Sequence, residues 1–319
     1  MLLESMRVTV KAALEIFLLA AAGYFLVRKN ILKDAGLDTL SRLVVEVTLP
    51  VLIFCQLVKE FSFSAYSNWW LFPLISIAIT IFALAVGLAF AGFIDKDRQR
   101  RMQFLSLVTF QNSGYLPLAL IVTLLPAAEA GPMLIYLFLF LLGFNLIMWS
   151  VGVYMLTFSA AKKFEMASFF SPPVAATLFS LLFIFLGLNT RTPDFIIRPL
   201  RMLGDCTLPL AMLVVGGNLA QIHFGRVDKK AMFLLTLAKL IILPALGLWL
   251  VAAFRLPGPI GLLILMQLAV PPATSLSVII RHYKKDDLLI SQGIFFGHIL
   301  GLVTLPLFLS LYFALLMIK

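Results

Sequence analysis

The sequence predicts an all-α polytopic membrane protein: ten transmembrane helices built as two inverted five-helix repeats, with crossed, broken helices at spans 4 and 9. Three observations predict it. The 319 residues are 62% hydrophobic and 13% charged, with a mean hydropathy of +1.05. Ten apolar runs of roughly spanning length follow one another along the chain. A short polar motif in the second run returns in the seventh, at an offset that also aligns helix-breaking stretches in the fourth and ninth.

Soluble domains hold about 45–50% apolar and about 25% charged residues. A single core stops growing near ~250–300 residues, so the excess apolar surface must face lipid. The formal charge of +10 does not indicate nucleic acid. Such binding needs Lys and Arg gathered on one wet surface, and here they fall in short loops between apolar runs. Cys55 and Cys206 both lie inside apolar runs, where thiols behave as small hydrophobes. They form no CxxC pair, so neither zinc nor redox chemistry is expected.

About 20 apolar residues cross ~30 Å of hydrocarbon. By that ruler the spans are Val8–Val27, Leu40–Val58, Trp69–Phe93, Phe104–Leu125, Met133–Phe158, Pro173–Leu188, Leu200–Ala220, Ala231–Phe254, Ile260–Ile280 and Leu288–Met317. The first run resembles a signal-peptide core in length. Its continuation through Tyr24 and Phe25 and the basic flank Arg28-Lys29 after it mark a retained helix instead. Loops after spans 1, 3, 5, 7 and 9 carry sixteen Lys and Arg, whereas the opposite side carries eight, with Lys239 inside a span. The basic side is therefore expected in the cytoplasm and both termini outside it, in a plasma or inner membrane.

Glu46-Val-Thr48-Leu49-Pro50 in span 2 recurs as Asp205-Cys-Thr207-Leu208-Pro209 in span 7, 159 residues on. The same offset carries Asn112-Ser113-Gly114 of span 4 onto Pro271-Pro272-Ala273 of span 9. The repeats are thus expected over 1–160 and 161–319. Five spans per half is odd, so the halves enter the membrane in opposite senses. Paired interrupted helices in inverted halves are the sequence sign of a transporter site near the midplane. Interruption frees backbone N–H and C=O groups that must line protein or a wet cavity. Half-helix N-termini then turn positive dipole ends toward an anion.

Candidate substrate-binding residues follow from these breaks. In span 4, Gln111, Asn112 and Ser113 precede Gly114 and Pro117, a pattern for an unwound crossing that holds a polar solute. The competing reading is helix–helix polar glue, worth about 1 kcal/mol per contact. In span 9, Pro271 and Pro272 remove two N–H donors and force the helix open. Gln267, Thr274 and Ser275 flank that opening; the competing reading is a kinked structural helix. Glu46 and Asp205 are the candidates for ion or proton coupling, since intramembrane acids mark such paths. Pairing with the nearby Arg42 and Arg201, or a dimer contact, accounts for them equally well. Lys239 and Glu15 invite the same argument more weakly, since either could snorkel. His223, His282 and His298 show no metal-ligand spacing, and no HExxH, GxSxG or P-loop is present, so an enzyme is not expected.

Several of these strings resemble the auxin efflux carrier family. They are Gln111-Asn112-Ser113-Gly114 with Pro117; Pro209-Leu210-Ala211-Met212 through Gly216-Gly217-Asn218-Leu219; and Pro271-Pro272-Ala273-Thr274 followed by Tyr283, Asp286-Asp287 and Leu305-Pro306-Leu307. The resemblance covers the whole chain and implies the fold shared with bile acid sodium symporters. In that fold spans 1, 2, 6 and 7 form a scaffold, spans 3–5 and 8–10 a mobile transport domain, and spans 4 and 9 cross at the substrate. It further implies a homodimer through the scaffold and elevator-like motion. Asn112 matches the family's substrate-carboxylate asparagine, Gln267 a glutamine just before the span 9 proline, and Asp205 an acid near the start of span 7. Plant members carry Pro-Gln where this chain has Pro271-Pro272. Many also carry a long cytoplasmic loop where only Ala160 to Ser171 stands here. Both departures point to a compact bacterial-type permease.

The expected function is gradient-driven, elevator-type transport of a small organic carboxylate, auxin-like or a dicarboxylate such as malate or malonate. No cofactor is expected beyond proton or sodium coupling. The partners expected are the organic anion, the bilayer and a second copy of the chain, with no nucleic acid. Two alternatives stand beside this: a sodium-coupled organic anion symporter of the bile acid type, and a membrane sensor or structural subunit.

Overall fold

A computed structural model describes residues 2–94, 97–157, 171–222, 227–282 and 287–316. The expected repeat boundary at 160/161, with Tyr283, Asp286 and His223, lies outside them. The described residues form twelve helices: α1 (Leu2–Arg28), α2 (Asp34–Glu60), α3 (Leu71–Ala91), α4 (Arg98–Thr109), α5 (Tyr115–Leu124), α6 (Ala127–Thr157), α7 (Pro172–Phe185), α8 (Asp194–Ala220), α9 (Lys229–Ala253), α10 (Gly258–Ala269), α11 (Ser275–His282) and α12 (Leu288–Leu316). Seven of them, α1, α2, α3, α6, α8, α9 and α12, are long and apolar enough to cross a membrane. The shorter apolar helices are α5, α7 and α10. The chain is thus an all-α, multi-pass membrane protein.

Proline placement explains much of the local geometry. A proline offers no N–H to the carbonyl four residues back. In α2 the turn widens to a π-helix over Val44–Thr48, two residues before Pro50. In α9 it does so over Thr236–Ile242, two residues before Pro244. Such single π turns absorb a missing ladder donor without ending the helix. In α8 the regular helix lapses at Cys206, three residues before Pro209. The two Thr-Leu-Pro motifs therefore both sit at helix irregularities, and Thr48 and Thr207 are both buried with hydroxyls that meet no partner.

α1 lies along α8 and runs against α12, and α2 packs on both α7 and α8. α3 packs on α4 and α6, α10 on α9 and α12, and α12 on α4 and α9. Where α1 meets α12, Thr9 Oγ1 lies 2.6 Å from Ser310 Oγ and donates to the Pro306 carbonyl at 3.2 Å. Small residues allow the α1–α8 approach: a Cβ on Gly216 would stand 1.7 Å from the Ala20 carbonyl oxygen. Close backbone packing through small residues is how membrane helices gain contact where lipid leaves little hydrophobic drive.

Gly216→Ala is therefore expected to destabilise the protein by about 1–3 kcal/mol, the usual cost of overpacking. The check is thermal melting of the detergent-solubilised protein, with Gly92→Ala as control because nothing lies within 4 Å of its added carbon.

Candidate functional site at the crossing of the broken helices

Span 4 is two helices, α4 and α5, and span 9 is two helices, α10 and α11. Asp97 starts α4 by accepting from the backbone N–H groups of Gln99 and Arg100. The helix ends at Thr109, and Phe110 is extended. In span 9, α10 ends at Ala269, and Val270 is extended. The two unwound segments then pair with each other as a short antiparallel bridge, Gln111 opposite Pro272. Ala273 N–H donates to the Phe110 carbonyl at 2.9 Å, and Asn112 N–H donates to the Pro271 carbonyl at 2.9 Å. Across the bridge Asn112 faces Pro271, the residue that the 159-residue motif offset assigns to it.

Neighbouring helices seal the crossing. Gln267, fully buried on α10, donates through Nε2 to the Ser113 carbonyl at 3.2 Å. α12 closes from the other side because residue 297 is glycine; a Cβ there would meet Pro272 Cδ at 2.6 Å. Lys239, fully buried in the π turn of α9, donates to the Val108 carbonyl at 3.0 Å. This side chain does not snorkel. It caps the C-terminal end of α4 by donating to a carbonyl that has no acceptor role within the helix.

A cavity of about 170 Å³ opens beside the bridge. Gln111, Asn112, Ser113 and Gly114 line it from span 4, and Thr274 and Ser275 from span 9. Its other walls are α2, through Val45 and Leu49, and α6, through Phe144, Asn145 and Trp149. It extends to Ser171 and Pro173 at the start of α7, so it reaches toward the side that carries the basic loops. Two helix N-termini border it, those of α5 at Gly114-Tyr115 and α11 at Thr274-Ser275. Their first N–H groups have no intrahelical acceptor. The polar side chains in the wall are sealed and unpaired: both ends of the Gln111 amide and the Ser113 hydroxyl are buried without a partner. Leaving such groups unmet costs about 1–3 kcal/mol each.

Of the sequence candidates, Gln111, Asn112, Ser113, Gly114, Thr274 and Ser275 come together at this cavity. Gln267, Pro271 and Pro272 lie behind it and shape the crossing. Glu46 and Asp205 stand away from it. Glu46 is engaged by Arg42, with Nε to Oε1 at 3.0 Å. Asp205 is exposed on α8 and has no hydrogen-bond or ion-pair partner among the described residues, Arg201 included. Glu15 is half exposed, 3.9 Å from Lys11. Cys55 and Cys206 are both free thiols. Sequence reasoning missed Asn145 in the cavity wall and His298, whose Nε2 lies 3.4 Å from Asn112 Nδ2. Asn145 stands alone in an apolar run, and His298 was passed over because its partner is distant in sequence.

A sequence profile described as membrane transport protein matches residues 8–166 and 156–309. An uncharacterised transporter of Methanothermobacter thermautotrophicus is 27% identical over 301 residues, 93% of this chain and 96% of its own. An uncharacterised transporter of Methanocaldococcus jannaschii is 24% identical over 304 residues, covering 92% and 95%. Protein PIN-LIKES 1 of Arabidopsis thaliana is 27% identical over 164 residues, 46% of this chain and 34% of the plant protein.

The geometry sets an accessibility pattern. In a Cys206→Ser background, Thr274→Cys and Ser275→Cys are expected to react with a membrane-impermeant thiol reagent, while Gln267→Cys stays unlabelled. Equal labelling at all three positions in solubilised protein would show that no such cavity separates them.

Proposed function

The chain belongs to the membrane transport protein family, that of the auxin efflux carriers, and from this premise we propose that it is a secondary transporter of small organic carboxylates. The observation that carries this reading is the buried Gln111 amide, unpaired at both ends in the wall of a cavity bordered by two helix N-termini. A carboxylate suits that wall. Gln111 and Ser113 supply donors, Asn112 and Thr274 stand beside them, and the positive ends of α5 and α11 favour negative charge. The largely apolar remainder, Val45, Leu49, Phe144 and Trp149, takes a hydrocarbon or aromatic body, the usual division of labour in a small-molecule site.

In this reading α4–α5 and α10–α11 each count as one interrupted crossing, and α7 completes ten spans in two inverted repeats. The motif offset of 159 residues and the mutual pairing of the two breaks support that arrangement. The group α1, α2, α7 and α8 serves as a scaffold, dimerising with a second copy. The helices α3–α6 and α9–α12 carry the crossing as a moving body. The cavity lies between them, with α2 and α7 on one side and the crossing on the other, so sliding one group past the other exposes it alternately. In this reading the basic loops lie on the cytoplasmic side of a plasma or inner membrane, and the cavity opens toward that side.

The test is binding of malonate and of indole-3-acetate to purified protein. Asn112→Ala and Gln111→Ala are each expected to weaken whichever probe binds by about tenfold, the loss of one or two net hydrogen bonds. Unchanged affinity in both variants removes the site assignment. For coupling we propose Glu46 or Asp205 as proton-responsive groups on the scaffold. Transport in proteoliposomes by Asp205→Asn should then lose its pH dependence, and an unaltered profile excludes that residue.

A further inference from the structure

His298 lies on α12, fully buried, 186 residues from the asparagine it touches. One ring nitrogen, Nδ1, is 2.8 Å from the Ile294 carbonyl oxygen one turn back. A carbonyl can only accept, so Nδ1 carries the hydrogen and donates. The other nitrogen, Nε2, is 3.4 Å from Asn112 Nδ2. An amide nitrogen can only donate, so Nε2 must present its lone pair, and the ring is the neutral Nδ1–H tautomer. Both ring nitrogens are then consistently engaged. The tautomer is set by the helix that carries the residue, much as an outer partner sets the tautomer of a metal-bound histidine.

We propose that His298 is the positioning residue of Asn112, fixing which end of its amide meets the solute. The proposal rests on the reading of Asn112 as a substrate-binding residue. With Nδ2 held by the ring, the amide cannot reverse without setting Oδ1 against the Nε2 lone pair, acceptor against acceptor. His298 is fully buried, so a reversed amide would leave its Nε2 lone pair unmet, at the cost of a buried polar group without a partner. One amide hydrogen is spent on His298. The cavity therefore meets Asn112 as a fixed edge: the second N–H beside Oδ1, a donor and an acceptor in set order. A freely rotating amide would present either order and would lose orientational freedom on binding. The neighbouring contacts support the same geometry. Gly297 lets α12 approach Pro272 closely, and the Asn112 backbone is pinned by its bond to Pro271. The asparagine is thus held at its main chain by span 9 and at its side chain by span 10.

The first measurement needs no ligand. Nitrogen-15 spectra of histidine-labelled protein, with the His298 signals identified from His298→Gln, should show a neutral ring protonated on Nδ1. The Nε2 resonance should move when Asn112 is replaced by Ala. A ring protonated on Nε2, or an Nε2 signal indifferent to Asn112→Ala, overturns the proposal. The second measurement is a double-mutant cycle on the binding of malonate and of indole-3-acetate. His298→Leu, which removes the acceptor, should weaken binding by about tenfold, while His298→Gln, which keeps an acceptor at the Nε2 position, should stay within about threefold. In an Asn112→Ala background His298→Leu should add less than about threefold, because its effect runs through the asparagine. If Asn112→Ala weakens binding and His298→Leu does not, positioning is refuted and the site assignment stands. If Asn112→Ala changes nothing, the assignment of Asn112 is what fails. Should neither probe bind the wild-type chain, the nitrogen spectra decide the matter alone.

Discussion

Main-chain polar groups at membrane depth must find partners, and this one constraint organises the molecule. Two helices open at the same level, and each opened segment is the other's partner. Ala273 donates to Phe110 and Asn112 donates to Pro271. An antiparallel pair leaves outward-facing groups on both edges, which hydrocarbon would penalise by several kcal/mol apiece. The double proline removes that difficulty on one strand. Pro271 and Pro272 bring no N–H to be orphaned, so the span 9 segment offers an acceptor inward and no unmet donor outward. Proline at a strand edge is tolerated for the same reason. The span 4 segment has no prolines within it, and there the unpaired groups, the Gln111 amide and the Ser113 hydroxyl, belong to the cavity wall.

Opening the helices also separates charge. Each half-helix end carries part of the backbone dipole. The C-terminal end of α4 is met by the Lys239 amine, buried in the π turn of α9, which donates to the Val108 carbonyl. The N-terminal end of α5 has no side-chain cap, and the N-terminal ends of α5 and α11 border the cavity. The C-terminal end at the interruption is thus met within the protein, whereas the N-terminal end of α5 borders the cavity, whose described lining holds no basic side chain.

The packing around the crossing uses two kinds of contact. α1 and α8 meet at backbone distance through Gly216. α1 and α12 meet through a hydroxyl network of Thr9, Ser310 and the Pro306 carbonyl. Contacts of that kind re-form at a new register more readily than interlocked glycine packing, because a hydroxyl can rotate to another carbonyl. His298 and Gly297 sit on α12 and face the crossing, where the ring meets Asn112 and the glycine meets Pro272.

The amino-acid sequence by itself determined the class and the location of the breaks. Hydrophobic run lengths need only the thickness of a bilayer to be read. Pro271-Pro272 and Gly114 act within their own helices, so their effect is local and legible in one dimension. The same holds for the six residues gathered at the cavity, since all lie within five positions of a break. What only the tertiary structure decided is how the segments answer one another. Gln267 flanks the opening in sequence yet turns away to hold the Ser113 carbonyl. Glu46 and Asp205 look equivalent in the motif, and both are exposed, but only Glu46 is paired. Lys239 and His298 lie 131 and 186 residues from the groups they engage. No local pattern encodes a hydrogen bond across that distance. It is set where helices converge, by which buried donor has no other acceptor within reach.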